Sequence, residues 1–209
     1  MIDPQATALA KARYNRIARI FDGLEALMEL RAKTWRQRLW DQVGPGKILE
    51  VGVGTGKNMA YYPKGAEVCG IDLSDRMLER ARRRAEREHI AVDLREMDAQ
   101  SLDFPDGSFD AAVATFVFCS VPDPVLGMAE LARVVKPGGT VLLLEHVRLE
   151  QPLIGRLMDL IDPVIVRMVG AHINRRTLEN ARLAGLAVES VENMTANGLV
   201  RLIRAHPGN

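Results

Sequence analysis

A short apolar run, KILEV (Lys47 to Val51), leads straight into the glycine loop EVGVGTG (Glu50 to Gly56), and twenty residues after Gly52 a second apolar run, AEVCGI (66 to 71), ends on Asp72. Few folds accept this arrangement. Glycines at 52, 54 and 56 let the backbone turn tightly and let a ligand lie against it, and a carboxylate ending the next strand can accept both hydroxyls of a ribose. The order of strand, glycine loop, helix starting at Lys57 and Asn58, strand and terminal Asp predicts a nucleoside site on a parallel sheet. The plainer alternative is a tight turn with a surface Asp72. A dinucleotide fingerprint would need its third glycine at position 57, which is Lys57.

The rest of the chain repeats the alternation. AVDLRE (91 to 96), FDAAVATFVF (109 to 118) and TVLLLEHV (140 to 147) are further short apolar runs. Continuous apolarity predicts strands buried on both faces, joined by parallel helical crossovers. Asp75 to His89 reads as one such helix, with Leu78, Ala81 and Ala85 inward and Arg80, Arg82, Arg83, Arg84 and Arg87 on a solvated face. LAVESVENM (186 to 194) and LVRLIRA (199 to 205), joined by Thr195 to Gly198, predict a closing hairpin. Residues 5 to 40 read as helical, with Leu9, Ile17, Ile20, Leu24, Leu27 and Met28 at helix spacing and a break at Gly23. The expected division is a helical segment at 1–41 and an α/β domain at 42–209. With 47% hydrophobic and 26% charged residues, the 209-residue chain can bury a sizeable core. A net charge of +1 removes any whole-chain case for nucleic acid. Cys69 and Cys119 stand alone in apolar runs, which argues against a disulfide framework or a metal site and for a reducing compartment. No apolar run approaches the roughly 20 residues that span a bilayer, and the charged N-terminus lacks a signal core. A cytoplasmic location is expected.

The spacing of these glycines after Glu50 resembles the first motif of the class I methyltransferases that use S-adenosylmethionine (SAM), an acidic residue followed by x-G-x-G-x-G. IDLS (Ile71 to Ser74), MDAQSLDFPDGSFD (Met97 to Asp110) and RVVKPGG (Arg133 to Gly139) continue the likeness over residues 47 to 147. It implies a Rossmann-like α/β sheet, mostly parallel with a C-terminal antiparallel hairpin and helices on both faces. It further implies that Gly52, Gly54 and Gly56, with Val53 and Thr55, line the methionine part of SAM, while Glu50 and Asn58 orient its amino-acid end. Asp72 would bind the ribose, Leu73 and Met77 would pack on the adenine, and Asp98 with the Ala99 backbone would read its amino edge. Phe116 joins this cofactor set. Met77 as plain core and Asp98 as a turn residue are the alternatives.

The acceptor must be read elsewhere. In an open parallel sheet the site lies at the carboxyl ends of the strands, which selects Phe116, Phe118, Cys119 and Ser120, then Glu145, His146 and Arg148. An imidazole at His146 can take a proton from an acceptor, or it can brace the strand end. Gln151 to Gly170 is apolar but interrupted by Arg156, Asp159, Asp162 and Arg167, which suits a helical pair covering an apolar substrate or lying at an interface. Next, Arg175 and Arg176 stand adjacent, flanked by His172, Asn174 and Asn180. They would clamp a phosphate, or divide between a helix carboxylate and water. Lys11, Arg13, Arg16 and Arg19, and four more basic residues from Arg31 to Arg38, make a basic amphipathic segment suited to an anionic lipid surface or to a lid.

LEHVR (Leu144 to Arg148), INRRTLENARLAGL (Ile173 to Leu186) and GLVRLIRAHP (Gly198 to Pro207) are similar to the soluble bacterial phospholipid N-methyltransferases, relatives of the quinone-pathway C-methyltransferases. The resemblance implies phosphatidylethanolamine or its partly methylated forms as substrate, and peripheral attachment to the inner face of the cell membrane. It implies Tyr14 at the methyl-transfer site; with such a substrate, His146 is expected as base or proton relay with Glu145 in reserve, and Arg175 and Arg176 on the lipid phosphate beside Asn180 and Arg148. Rival readings are a C-methyltransferase of a polyprenyl quinone precursor, a small-thiol methyltransferase and a non-catalytic SAM-binding membrane module.

Overall fold

The computed structural model describes residues 2–19, 21 and 26–208, without the side chains at 26–28, 30, 168 and 169. Ile20, Gly23 and Leu24, and the side chains of Leu27 and Met28, lie outside the described residues.

Two helices, α1 (Pro4–Ile17) and α2 (Ala26–Trp40), precede β1 (Lys47–Val51) and β2 (Glu67–Asp72). Then come α3 (Asp75–Glu88), β3 (Asp93–Glu96), β4 (Phe109–Thr115), α4 (Pro124–Val134), β5 (Val135–His146), α5 (Pro152–Val169), α6 (Thr177–Leu183), β6 (Leu186–Asn193) and β7 (Val200–Pro207). The seven strands form one sheet in the order β3-β2-β1-β4-β5-β7-β6. Strands β1 to β5 pair in parallel, while β7 pairs antiparallel with both β5 and β6 and so runs against the other six. The fold class is therefore the one expected.

Residues of β1 alternate between two cores because successive side chains leave a strand on opposite faces. Leu49 and Val51 join a cluster with Met128 and Leu131 of α4 and Ala181 of α6. Ile48 joins the opposite cluster, with Val113, Leu142 and Leu202 against Leu39 and Trp40 of α2. Helices thus cover both faces and leave the carboxyl ends of the parallel strands open to a cleft.

Four local expectations change. The helix foreseen at Lys57 shrinks to a 3-10 turn at Met59–Tyr61, because Pro63 disfavours helical geometry at the residue before it, and Tyr62 sits at φ −58°, ψ 133°. Strand β4 stops at Thr115, since Phe116 takes φ 56° and turns the chain. Strand β5 begins at Val135 rather than Thr140 and carries Gly138 at φ 78° within it. The 151–170 stretch is one helix, α5, instead of a pair. Pro163 lies inside it, and Asp159, whose carbonyl loses its usual N–H partner there, is an exposed residue that water can serve.

Candidate active site

A cavity of about 400 Å³ opens at the carboxyl ends of β1, β2 and β4, with α1 and α2 along its rim. Its floor is the glycine loop. Gly52, Gly54 and Gly56 have φ of 67°, 55° and 82°, the left-handed region in which a side chain is strained. A Cβ on Gly52 would lie 2.4 Å from Val117 Cγ2, whereas a Cβ on Gly54 would meet nothing nearer than Gly52 O at 4.0 Å. Since Gly54 lines the cavity, that open space is a cradle which any side chain there would fill.

Asp72 ends β2 at the cavity wall. It accepts Gly54 N–H at 2.8 Å on Oδ2 and Ser74 N–H at 2.9 Å on Oδ1. Burial pushes its carboxyl up to about 6 despite these amides. A carboxylate offers about four lone-pair sites, so acceptor capacity remains for hydroxyls entering from the cavity. Ser74 also caps α3 by accepting Met77 N–H at 3.1 Å, which brings Met77 and Leu73 to the wall beside Asp72. Asp98 and Ala99 line the cavity as well. Asp98 accepts from Gln100 N at 2.9 Å and from the Thr7 hydroxyl of α1 at 3.2 Å.

Glu50, by contrast, lies behind the loop and outside the cavity lining. Fully buried, it accepts from Asn58 Nδ2 at 2.6 Å and from the Tyr62 hydroxyl, and burial lifts its carboxyl to about 7. Asn58 also donates to Thr115 Oγ1 at 3.1 Å and accepts from Arg36 Nη1 at 2.8 Å. Asn58, Thr55, Val53 and Phe116 do line the cavity.

At the acceptor end, the Tyr14 hydroxyl of α1 hydrogen-bonds the Ser120 hydroxyl, and both residues face the cavity. His146, the last residue of β5, faces it too. Its ring stands 4.6 Å from the Phe116 ring at an interplanar angle of 31°, and burial lowers its pKa from 6.5, so the imidazole is neutral at neutral pH. Glu145 points away. Its Oε1 accepts Val117 N–H at 2.9 Å and Phe118 N–H at 3.0 Å, its Oε2 is buried without a hydrogen-bond partner among the described residues, and burial pushes the carboxyl up to about 7. Glu145 fixes the strained turn at Phe116, and its carboxyl does not line the cavity. Cys119 lines it, but burial pushes its thiol up to about 12, which leaves no thiolate.

The arginine pair does not form one clamp. Arg175 turns inward and donates to Val121 O at 2.8 Å, while Arg176 is 64% exposed and lies 3.4 Å from Glu179. Arg148 makes two bonds to Asp159, at 2.9 and 2.7 Å. None of these arginines, nor Asn180, is among the residues lining the cavity. The arrangement is physical: neighbouring residues entering α6 diverge, and each guanidinium already has an oxygen in reach.

Sequence reasoning placed Arg36 among the lipid-facing cations and overlooked Glu29. Both come from α2 and line the cavity, with Arg36 bonded to Glu29 at 3.2 Å and Glu29 bridging on to Lys57 at 3.2 Å. A signal existed, since Ala32, Arg36, Leu39 and Val43 follow helical spacing and all are buried. Arg36 belongs to that inner stripe and not to a lipid-facing one. The other basic groups of this region are partly engaged: Lys11 pairs with Glu96, and Arg38 with Glu192 at 2.6 Å.

The sequence family described as methyltransferase domain matches residues 49–143. Phosphatidylethanolamine N-methyltransferase of Cereibacter sphaeroides is 46% identical over 103 residues, 48% of this chain and 51% of that enzyme. Demethylmenaquinone methyltransferase of Clavibacter sepedonicus is 31% identical over 92% of this chain and 88% of its own length. The chain spans about half to two thirds of the first relatives' length, at 51% and 63%. Among solved structures, geranyl diphosphate methyltransferase in complex with SAM superposes with a TM-score of 0.70 at 20% identity, covering 83% of this chain and 84% of that one.

Proposed function

Because this chain belongs to the class I SAM-dependent methyltransferases, we propose that it methylates the amine of phosphatidylethanolamine and of its partly methylated forms. The observation that carries the reading is the placement of the His146 imidazole in the same cavity as the glycine cradle and the Tyr14–Ser120 hydroxyl pair. The 46% identity to a phosphatidylethanolamine N-methyltransferase supports the choice of acceptor.

When bound, SAM would supply an electrophilic methyl on a sulfonium, whose C–S bond breaks as the acceptor bonds the methyl, and would leave as the neutral thioether S-adenosyl-L-homocysteine. Gly52 to Gly56 would hold its methionine part, Asp72 its ribose, Leu73 and Met77 its adenine face, and Asp98 with the Ala99 backbone the adenine edge. Arg36 and Asn58 stand beside the loop where an amino-acid carboxylate would lie. The acceptor amine, with a pKa near that of lysine, about 10.4, must shed a proton before its lone pair can attack. His146 receives that proton on a ring nitrogen, and the hydroxyls of Tyr14 and Ser120 orient the amine. The apolar walls exclude water, and orientation supplies much of the acceleration.

C-methylation of a quinone precursor is the second reading. It is favoured by the demethylmenaquinone methyltransferases, one of which aligns over 88% of its length, and by a cavity that Arg148, Arg175 and Arg176 do not line. Methyl-labelled SAM offered with phosphatidylethanolamine or with demethylmenaquinone, in detergent, separates the two. Label in mono- and dimethylated lipid is the expected result, and label only in the quinone would overturn it.

A further inference from the structure

We propose that the outer face of α5 inserts into the surface of an anionic lipid bilayer, alongside the mouth of the cavity. The proposal rests on α5 itself and holds for a phospholipid or a quinone acceptor alike.

A helix on a globular body ordinarily turns its apolar stripe inward. On α5 the reverse holds. Leu153, Leu157, Leu160 and Val164 are 82%, 55%, 75% and 59% exposed, and Ile154 and Ile161 are exposed beside them. At 100° per residue, 153, 157, 160, 161 and 164 fall on one face. The opposite face meets the protein through Gly155, Met158 and Asp162, all buried. Isolated exposed leucines need no explanation, whereas a contiguous stripe of six marks a binding surface.

Charge identifies the occupant. Both acids of α5 are engaged toward the protein: Asp159 with Arg148, and Asp162 with His172 Nδ1 at 2.7 Å and Ile173 N at 2.8 Å. Arg156 and Arg167 lie along one edge of the apolar stripe, both exposed, with no ion-pair partner among the described residues. An apolar face edged by unpaired cations suits the boundary between acyl chains and anionic headgroups, where arginine heads reach up to phosphates while their stems stay with the chains. A second copy of α5 would bring the same cations and no free carboxylate. Placement agrees: α5 ends at Gly170, against Arg13 of α1, and the next residue, Ala171, lines the cavity. An acceptor rooted in the bilayer would meet the mouth without leaving the lipid. No helix among the described residues is long and apolar enough to cross a membrane, so the attachment is at the surface.

Sedimentation of the full chain with phosphatidylcholine vesicles, with and without phosphatidylglycerol, tests this. The parent should bind both and bind the anionic vesicles more tightly. Leu157→Asp with Leu160→Asp should weaken partitioning by more than about tenfold on either vesicle. Arg156→Glu with Arg167→Glu should lose only the anionic preference, about fivefold for each charge. Both positions of the leucine variant are exposed, so its circular dichroism and its SAM affinity should match the parent's. The proposal is overturned if the leucine variant partitions like the parent. It is also overturned if the parent stays with the supernatant as a dimer that the leucine variant splits, which would make a second copy the occupant. Neither readout uses methyl transfer, so a wrong acceptor assignment leaves this test intact.

Discussion

The two ends of one cavity are built by different means. At the cofactor end, buried Arg36, Asn58, Glu50 and Thr115 hold one another by hydrogen bonds of 2.6 to 3.1 Å, and the loop they brace is tied to Asp72 through Gly54 N–H. At the acceptor end, Tyr14 stands on α1, a helix with no buried residue, which is held by polar contacts such as Asn15 to Asp75 at 2.7 Å and Thr7 to Asp98 at 3.2 Å. His146 leans on the Phe116 ring and has no hydrogen-bond partner among the described residues. One end is prefixed by the sheet, while at the other α1, which carries Tyr14, can part from the sheet without breaking the core. Cofactor affinity should therefore be insensitive to changes at the acceptor end, and the largest effect tests that separation first.

His146→Ala should cut turnover by about 10²- to 10⁴-fold, roughly 3 to 5 kcal/mol, with SAM affinity by calorimetry essentially kept. The lowered pKa adds a signature. The parent's acidic limb of kcat against pH should fall below 6.5, and it should vanish in the variant. Loss of SAM affinity along with turnover would mean that the two ends are coupled.

Glu145 probes the joint between them. Its folded pKa of about 7 lies above the ordinary 4.5, so the folded state binds the proton more tightly. That contribution is fully present below pH 4.5 and is lost as pH rises through 7. In urea unfolding of the SAM-free protein, the parent should lose roughly 2 to 3 kcal/mol through this group between pH 5 and pH 8. Glu145→Gln, which keeps an acceptor for Val117 and Phe118 N–H, should lose that much less. Glu50 and Asp72, also raised, will leave a residual slope of the same sign. An unchanged slope in Glu145→Gln would move the pH dependence wholly to the cofactor end.

The same contrast explains what could be read from residues alone. The glycine loop, Asp72 and the alternation of strands with helices were legible because positive φ, tight turns and buried strands restrict which residue types can stand there, and the restriction is local in the chain. Arg36 was misjudged because its neighbours Arg31, Lys33 and Arg38 are surface cations, and only its phase relative to Ala32 and Leu39 separates it from them. Glu145 and His146 are adjacent in β5, so the pleat turns them to opposite sides, one beneath the Phe116 turn and one into the cavity. Composition gave no hint of which was which. The outward apolar face of α5 was visible as an apolar run, but its direction depends on where Asp159 and Asp162 find partners, and Arg148 and His172 lie outside the helix.

Arg175 and Arg176 supply the smallest and sharpest test of how far the acceptor end moves. Arg175→Ala removes the donor to Val121 O in a partly buried site, which should cost about 1 to 3 kcal/mol of stability by thermal or urea unfolding. Arg176 is 64% exposed and loosely paired with Glu179 at 3.4 Å, and exposed pairs of this kind contribute little. Arg176→Ala should leave stability unchanged and alter turnover of detergent-dispersed lipid by no more than about twofold. The two variants thus separate a bracing arginine from a surface one, although the sequence sets them side by side. If Arg176→Ala instead lost tenfold or more in turnover at unchanged stability, its guanidinium would have to leave Glu179 for the acceptor. The acceptor end would then close on binding, and a phosphate-bearing substrate would gain directly over a quinone.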